Sequence, residues 1–389
     1  MRTFTSAAPS HSALCEARDT NPRLAESLWN AILGQGMTPQ GGSYAEALQD
    51  TTPLQHLRRL LTDDVAAAYA FSEHWRTACA LSGAATPFEL REKARAAWEP
   101  FVCRASTADV FDEGFGLDAS ASWAHAREVE TTGGDLAVLE RIARLAGRMH
   151  ATLCGARAKR VAGLPPEVHS VERGNDIARL LPSELVALGE PLLELVLMER
   201  LAGRKAAQYA VRGDMRADRG PLTIALDESG SMHGARNEWA KAAAVALTRV
   251  AWRERRNVAI VHYARSTVTH DLLPGRASLL LGVVRHFLSG GTDTALGISE
   301  GTRAFDALSK KSLGDGDLVL VTDGVDSAAS AQATAIESLH QHGARLWTVA
   351  IECTVASDSP LRGKAAGYVR LGAPDLTDPA SVLHLATAA

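Results

Sequence analysis

The chain has no CxxC pair, no run of about 18 apolar residues and no surplus of basic charge, and each absence closes off a class of function. Its five cysteines, Cys15, Cys79, Cys103, Cys154 and Cys353, are odd in number and widely scattered. They form neither a paired-cysteine zinc site nor a redox motif, and a reducing cytoplasm fits them best. The opening "MRTFTSAAPSHSALCEARDT" lacks the apolar block of a signal peptide, so the chain is expected to be neither exported nor anchored. A formal net charge of -4 offers no global attraction to nucleic acid or to anionic membrane surfaces. No G-x-x-x-x-G-K-[ST] occurs, so ATP hydrolysis by the chain itself is not expected. No G-x-S-x-G is centred on Ser229 or Ser231, and His233 lies too close in sequence to be an obvious base for either. Internal repeats and low-complexity tracts are missing as well, apart from a bias toward alanine.

What is present is a soluble, globular composition, 46% hydrophobic and 22% charged over 389 residues, enough for two or three domains. The first half reads as helical. "PLQHLRRLLTDDVAAAYAFSEHW" spaces Leu54, Leu57, Leu61, Val65, Ala68 and Phe71 at three- and four-residue steps. "DLAVLERIARLAGRMHATLCGARAKRV" does the same through Leu136, Leu139, Ile142, Leu145 and Met149, with Asp135 placed to cap the first turn. Between them "ADVFDEGFGLDASASWAHA" is most simply a long loop. A further helical block runs through "SELVALGEPLLELVLMERLAGRKAAQYAVRG", with Ser183 as its expected cap and a break at Gly189 and Pro191. The expected organisation is a helical domain over 1–170, a helical connector over 171–219, and a third unit over 220–389.

From Pro221 the pattern changes to short apolar strands alternating with helices. "LTIALD", "NVAIVHYA", "DLVLVT" and "RLWTVAI" are the strands, which predicts a mainly parallel sheet covered on both faces. Such sheets bind ligands at the carboxyl ends of their strands. Polar clusters fall at those ends: Asp227, Ser229 and Ser231 in "DESGSM", Thr292 and Asp293 in "GGTDT", Asp323 and Asp326 in "TDGVD". Hydroxyls with one or two carboxylates suit a hard cation, Mg²⁺ before Ca²⁺, with Mn²⁺ accepting the same oxygens. In an extended turn Asp227, Ser229 and Ser231, two apart, would face one ion, and Gly230 and Gly234 would let the chain bend there. Asp293 and Asp326 are expected to serve the turns.

These three motifs resemble the metal ion-dependent adhesion site of von Willebrand factor type A (VWA) domains, whose Asp-x-Ser-x-Ser pattern "DESGS" matches. The resemblance implies a Rossmann-like fold for 220–389. It also implies hydroxyl ligation by Ser229, Ser231 and Thr292, with Asp227 and Asp323 acting directly or through water and one position left for a partner's acidic residue. From "GNDIARLLPSELVALG" onward the chain further resembles the bacterial ViaA-type and CoxE-like VWA proteins. That resemblance implies an adaptor partnered with a MoxR-family AAA+ ATPase hexamer in remodelling or metal-cofactor maturation of a target protein.

Other readings of the same residues remain open. Ser and Asp cap helices and end strands routinely. A Mg²⁺-dependent phosphatase of the haloacid dehalogenase type would use Asp227 as nucleophile with Lys310 or Lys311 nearby, but Ser229 stands where its second acid is needed. A metal-independent interaction protein is the third possibility. His340 and His342, and "RERRN" at Arg253 to Asn257, read as surface positions at helix ends.

Overall fold

The computed structural model describes residues 12–33, 43–49, 64–81, 86–132, 135–162, 167–212, 220–309, 315–324 and 329–385. Up to Ala162 the described elements are helices: α1 (Ser12–Thr20), α2 (Pro22–Leu33), α3 (Ser43–Gln49), α4 (Asp64–Ala80), α5 (Pro87–Phe115), α6 (Ala119–Thr132) and α7 (Leu136–Ala162). The segment expected to be a long loop is helix on both sides of a short corner at 116–118. A corner suffices because Gly116 closes α5 in the left-handed conformation (φ 69°), its N–H donating to the Asp112 carbonyl. Asp118 then reopens the chain, its carboxylate accepting from the Ala121 N–H at 2.7 Å. Asp135 caps α7 in the same way through the Val138 N–H at 3.1 Å. The start of the stripe at Leu54, Leu57 and Leu61 lies outside the described residues.

The connector differs from the helical expectation. It contains an antiparallel ribbon, β1 (Glu167–Gly174) with β2 (Ala206–Arg212), around the short α8 (Pro182–Leu185) and α9 (Pro191–Ala202). Alternation in "AAQYAVR" was masked by the helix-forming residues before it. Ser183 is not the cap: Leu181 precedes α8, and the turn starts on Pro182, whose fixed φ suits a first helical position. The helix does break between Gly189 and Pro191. Ile177, Val186, Leu195 and Met198 are exposed on this element.

The remainder is a six-stranded sheet: β3 (Leu222–Asp227), β4 (Val258–Tyr263), β5 (Thr267–Leu272), β6 (Gly316–Thr322), β7 (Ala344–Ile351) and β8 (Gly367–Leu371), in spatial order β5-β4-β3-β6-β7-β8. Every neighbouring pair is parallel except β4 with β5. The edge strands β5 and β8 were not anticipated, since "TVTHDL" and "GYVRL" are half polar, as half-exposed edges are. One face packs Leu222, Ile224 and Leu226 against α10 (Ala235–Arg253) and α11 (Leu279–Arg285); the other packs Ala225, Leu318 and Leu320 against α12 (Thr294–Ser309) and α13 (Ala329–Gln341). Both faces being covered explains why β3, β4 and β6 are apolar runs. A last helical turn, α14 (Pro360–Gly363), precedes β8.

The helical and sheet regions share a core. Phe111, Phe115, Ile142, Met149 and Leu153 from α5 and α7 belong to the same buried cluster as α10 and the sheet. Arg141 makes a two-pronged pair with Glu238 on α10, and Arg249 donates to the Glu113 and Gly114 carbonyls. Packing therefore joins the unit expected over 1–170 to the one expected over 220–389, because the apolar stripe of α7 is buried against α10.

Candidate functional site

Chain order makes β3 the point from which the sheet grows in both directions, with β4 on one side and β6 on the other. Connections leave the carboxyl ends of β3 and β6 in opposite senses, opening a crevice there. Asp227 is the last residue of β3, and Asp323 directly follows β6. The sequence thus carried two acids to one crevice from about 95 residues apart.

Asp227 is fully buried, and both its oxygens are engaged. Oδ1 accepts from the Ser229 N–H at 2.9 Å, and Oδ2 accepts from the Thr322 hydroxyl at 2.7 Å. Burial raises its carboxyl above the usual range against the pull of these donors, and the neighbouring Asp323 adds to the rise. The loop is not extended beyond Ser229. Gly230–Met232 forms a 3-10 turn, and Gly234, at φ 86°, lets the chain leave that turn into α10. The turn, rather than strand-like alternation, brings the two serines together: Ser229 Oγ lies 3.1 Å from Ser231 Oγ, and Ser231 Oγ donates to Asp323 Oδ1 at 2.9 Å.

The second loop is attached by its backbone, the Gly230 N–H donating to the Gly290 carbonyl at 3.0 Å. A methyl group placed on Gly324 would stand 3.7 Å from Thr292 Oγ1, so that hydroxyl faces the loop bearing Asp323. Asp293 turns away and caps α12, accepting from the Leu296 N–H at 2.9 Å. Asp326, Lys310 and Lys311 lie outside the described residues. His340 lies in the last turn of α13 and His342 just past it, with His342 Nδ1 on the Ser338 carbonyl.

Sequence reading missed two charged residues here. Arg236, in the first turn of α10, donates to Asp323 Oδ2 at 2.7 Å, to the Ser231 carbonyl at 3.0 Å and to Glu352 Oε2. Glu352 and Asp323 hold its guanidinium more firmly charged than usual. Its position five residues after Ser231, on a helix turning back over the loop, was the available signal. Glu228, overlooked inside "DESGS", points the opposite way from Asp227, as successive strand residues do. Its Oε1 meets His262 Nδ1 at 2.8 Å and lies 3.4 Å from Lys241 Nζ, and its Oε2 accepts from the Leu288 N–H at 2.9 Å. Glu228 thereby ties the base of the Thr292 loop to the sheet. Phe287, part-exposed at the rim, packs edge-on to His233.

No family model matches the chain. An uncharacterized protein of Methanocaldococcus jannaschii is 26% identical over 197 residues, covering 48% of this chain and 43% of that protein, so the chain matches less than half the length of this curated relative. Among solved structures, an aerotolerance-related membrane protein from Bacteroides fragilis matches 43% of this chain and 98% of its own (15% identity, TM-score 0.33). The vWF domain of the type V pili tip protein Mfa5 from Porphyromonas gingivalis matches 44% and 94% (13% identity, TM-score 0.37). Proximal thread matrix protein 1 from the mussel byssus, with a zinc occupied MIDAS motif, matches 43% and 46% (13% identity, TM-score 0.32). No helix among the described residues is long and apolar enough to cross a membrane.

Proposed function

We propose that residues 220–389 form a VWA-type domain whose carboxyl-edge site binds Mg²⁺, with Mn²⁺ as a substitute, and that the chain is a non-catalytic adaptor. The observation that carries this reading is the oxygen spacing. Ligands about 2.0–2.1 Å from an octahedral ion stand roughly 2.9 Å from their neighbours. Ser229 Oγ to Ser231 Oγ is 3.1 Å, and Ser231 Oγ to Asp323 Oδ1 is 2.9 Å. The donor set fits: Ser229, Ser231 and Thr292 supply hydroxyls, Asp323 a carboxylate, and Asp227, with both oxygens engaged, orients the loop and accepts from water. When bound, the cation supplies a positive centre that attracts a partner's carboxylate. Ser231 is exposed and Ser229 buried, so the open side of the site is the Ser231 side. Arg236 holds Asp323 in place and limits the net negative charge of the crevice.

A phosphatase mechanism finds no support in this geometry. Asp227 is buried with both oxygens occupied, and Ser229 cannot serve as the proton donor that such a mechanism needs two positions on. The resemblance of the sequence to ViaA-type and CoxE-like proteins makes a MoxR-family AAA+ ATPase the partner to test, with the helical region and connector as its further contacts. The test is a pull-down with tagged full chain in Mg²⁺ and in EDTA, beside Ser229→Ala/Ser231→Ala. The expected result is an AAA+ ATPase or a single target retained only in Mg²⁺ and only by the wild type. Equal retention in both buffers, or by the double variant, would refute the metal-bridged reading.

A further inference from the structure

The connector is thinly covered. Among the described residues Leu180, Leu197 and Ala206 are its buried apolar side chains; with Ala187 and Leu201 they form a cluster of their own, apart from the cores of the helices and the sheet. Three buried residues do not hold a unit of this size, and residues 167–212 contain no cysteine for a disulfide. Other apolar side chains of the same element stay in water. On α9 Leu193 is 48% exposed, Leu195 69%, Val196 46% and Met198 50%; on the 3-10 turn Val186–Gly189 before it, Val186 is 71% and Leu188 51% exposed. Together they leave on the order of 600 Å² in contact with solvent, as much as the largest apolar patch of an ordinary monomer.

The sequence of α9, "PLLELVLMERLA", explains the exposure. It is apolar on nearly every side, a pattern that belongs to a helix covered all round. Leu197 and Leu201, one turn apart, point into the connector's own cluster; Leu195 and Met198, three apart, lie on the side away from it. The two ends of the helix carry opposite charge. Glu190 precedes its first turn and Arg204 and Lys205 follow its last, all three exposed and none in an ion pair among the described residues. Elsewhere on the connector Glu172 and Asp176 stand beside Arg173 and Arg179. The element therefore lacks the basic surplus with which an amphipathic helix binds an anionic membrane.

We infer that the covering surface is a second copy of this chain: two chains associate about a two-fold axis, laying α9 of one antiparallel on α9 of the other. A two-fold axis makes one patch serve both sides, so each apolar residue is buried twice. It also sets Glu190 of each copy toward Arg204 and Lys205 of the other, acid on base at both ends, and lets the two helix dipoles cancel. A parallel arrangement would put acid on acid and base on base. The area suffices: a standard interface takes about 800 Å² from each partner, of which about 57% is apolar, and α9 with its preceding turn supplies that apolar share. None of the oxygen-site residues takes part, so the dimer is independent of the metal reading, and it leaves the ribbon β1–β2 and the helical region to the partners proposed above.

The test is sedimentation equilibrium of the full chain across micromolar concentrations, in Mg²⁺ and in EDTA. The expected mass is that of two 41.3 kDa chains in both buffers, falling reversibly toward one chain on dilution. Leu195→Glu enters a two-fold interface twice and should weaken association at least about 100-fold, with circular dichroism unchanged because the position is exposed. Charge exchange gives the sharper readout. Glu190→Lys, and the double variant Arg204→Glu/Lys205→Glu, should each weaken the homodimer by like-charge contact, and an equimolar mixture of the two should recover the dimer mass, which neither aggregation nor unfolding would do. A single-chain mass at every concentration, or a dimer that survives Leu195→Glu, would overturn the inference. So would charge variants that fail to pair on mixing, a dimer lost in EDTA, which would place the contact at the oxygen site, or a monomer that uses Leu195 to bind anionic lipid vesicles.

Discussion

Replacing Glu228 by Gln keeps the shape of the side chain and removes one buried charge. Glu228 is fully buried, and Lys241 is 4% exposed. Burial alone would raise the Glu228 carboxyl, but His262, Lys241 and the Leu288 N–H outweigh it and hold the group below its usual range. Lys241 is lowered by burial against the opposing pull of Glu228. Glu228→Gln therefore leaves an ammonium in the core without its carboxylate, a change that costs about 3–5 kcal/mol. Two contacts survive and favour the lower end: Lys241 still donates to the His286 carbonyl, and the glutamine oxygen still accepts from the Leu288 N–H. The expected loss is about 3 kcal/mol, read from urea unfolding in EDTA by fluorescence and circular dichroism. Lys241 would then sit further below its usual range of 10.5, so the deficit should shrink as pH rises toward that value and Lys241 loses its proton. Adding Lys241→Met removes the orphaned charge and should restore most of the stability, a coupling that only a double-mutant cycle resolves. A single variant within about 1 kcal/mol of wild type, or a double variant whose losses simply add, would refute the claim that these two charges stabilise each other.

Three further perturbations probe the scaffold. In Gly297→Ala the new methyl would stand 2.7 Å from the Tyr263 ring, and overpacking of about 1–3 kcal/mol should exceed the helix-propensity gain of up to about 1, so a net loss in urea unfolding and weaker Mg²⁺ binding are expected. Asp317 accepts from Arg256 at 2.9 Å, Arg345 at 2.8 Å and Trp347 at 2.9 Å; Asp317→Asn strands the buried Arg256 charge and should cost about 3–5 kcal/mol in the same assay. Burial lowers His74, whose Nδ1 meets the Tyr44 hydroxyl, from 6.5 to about 4. A depressed folded value gives stability that is complete above 6.5 and lost as pH falls through 4, about 3 kcal/mol over that window, and His74→Leu should flatten the pH profile there.

The strands β3, β4, β6 and β7 were legible because strands buried on both faces must be apolar runs, and helices between them force a parallel sheet. The polar loops after β3 and β6, with Asp227, Ser229 and Ser231 in one and Asp323 in the other, were legible because they follow strand ends, whereas Thr292 stands just before α12 and was singled out by the motif. Polar edge strands were not, since β5 and β8 are defined by what they pair with rather than by their own hydrophobicity. The ribbon β1–β2 was hidden for the same reason.

Sequence by itself marked the oxygen-bearing loops after the strands; it could not decide who faces whom. Glu228 and Asp227 are adjacent letters with opposite directions, one toward the histidines and one toward the serines, a split that pleating makes and composition does not show. Arg236 reaches Glu352 across 116 positions, and His262, His270 and His286 meet only because β4 pairs with β5 and α11 ends above them. Local propensity and periodicity act over a few residues, and contacts of this separation exist only once the sheet has closed its order.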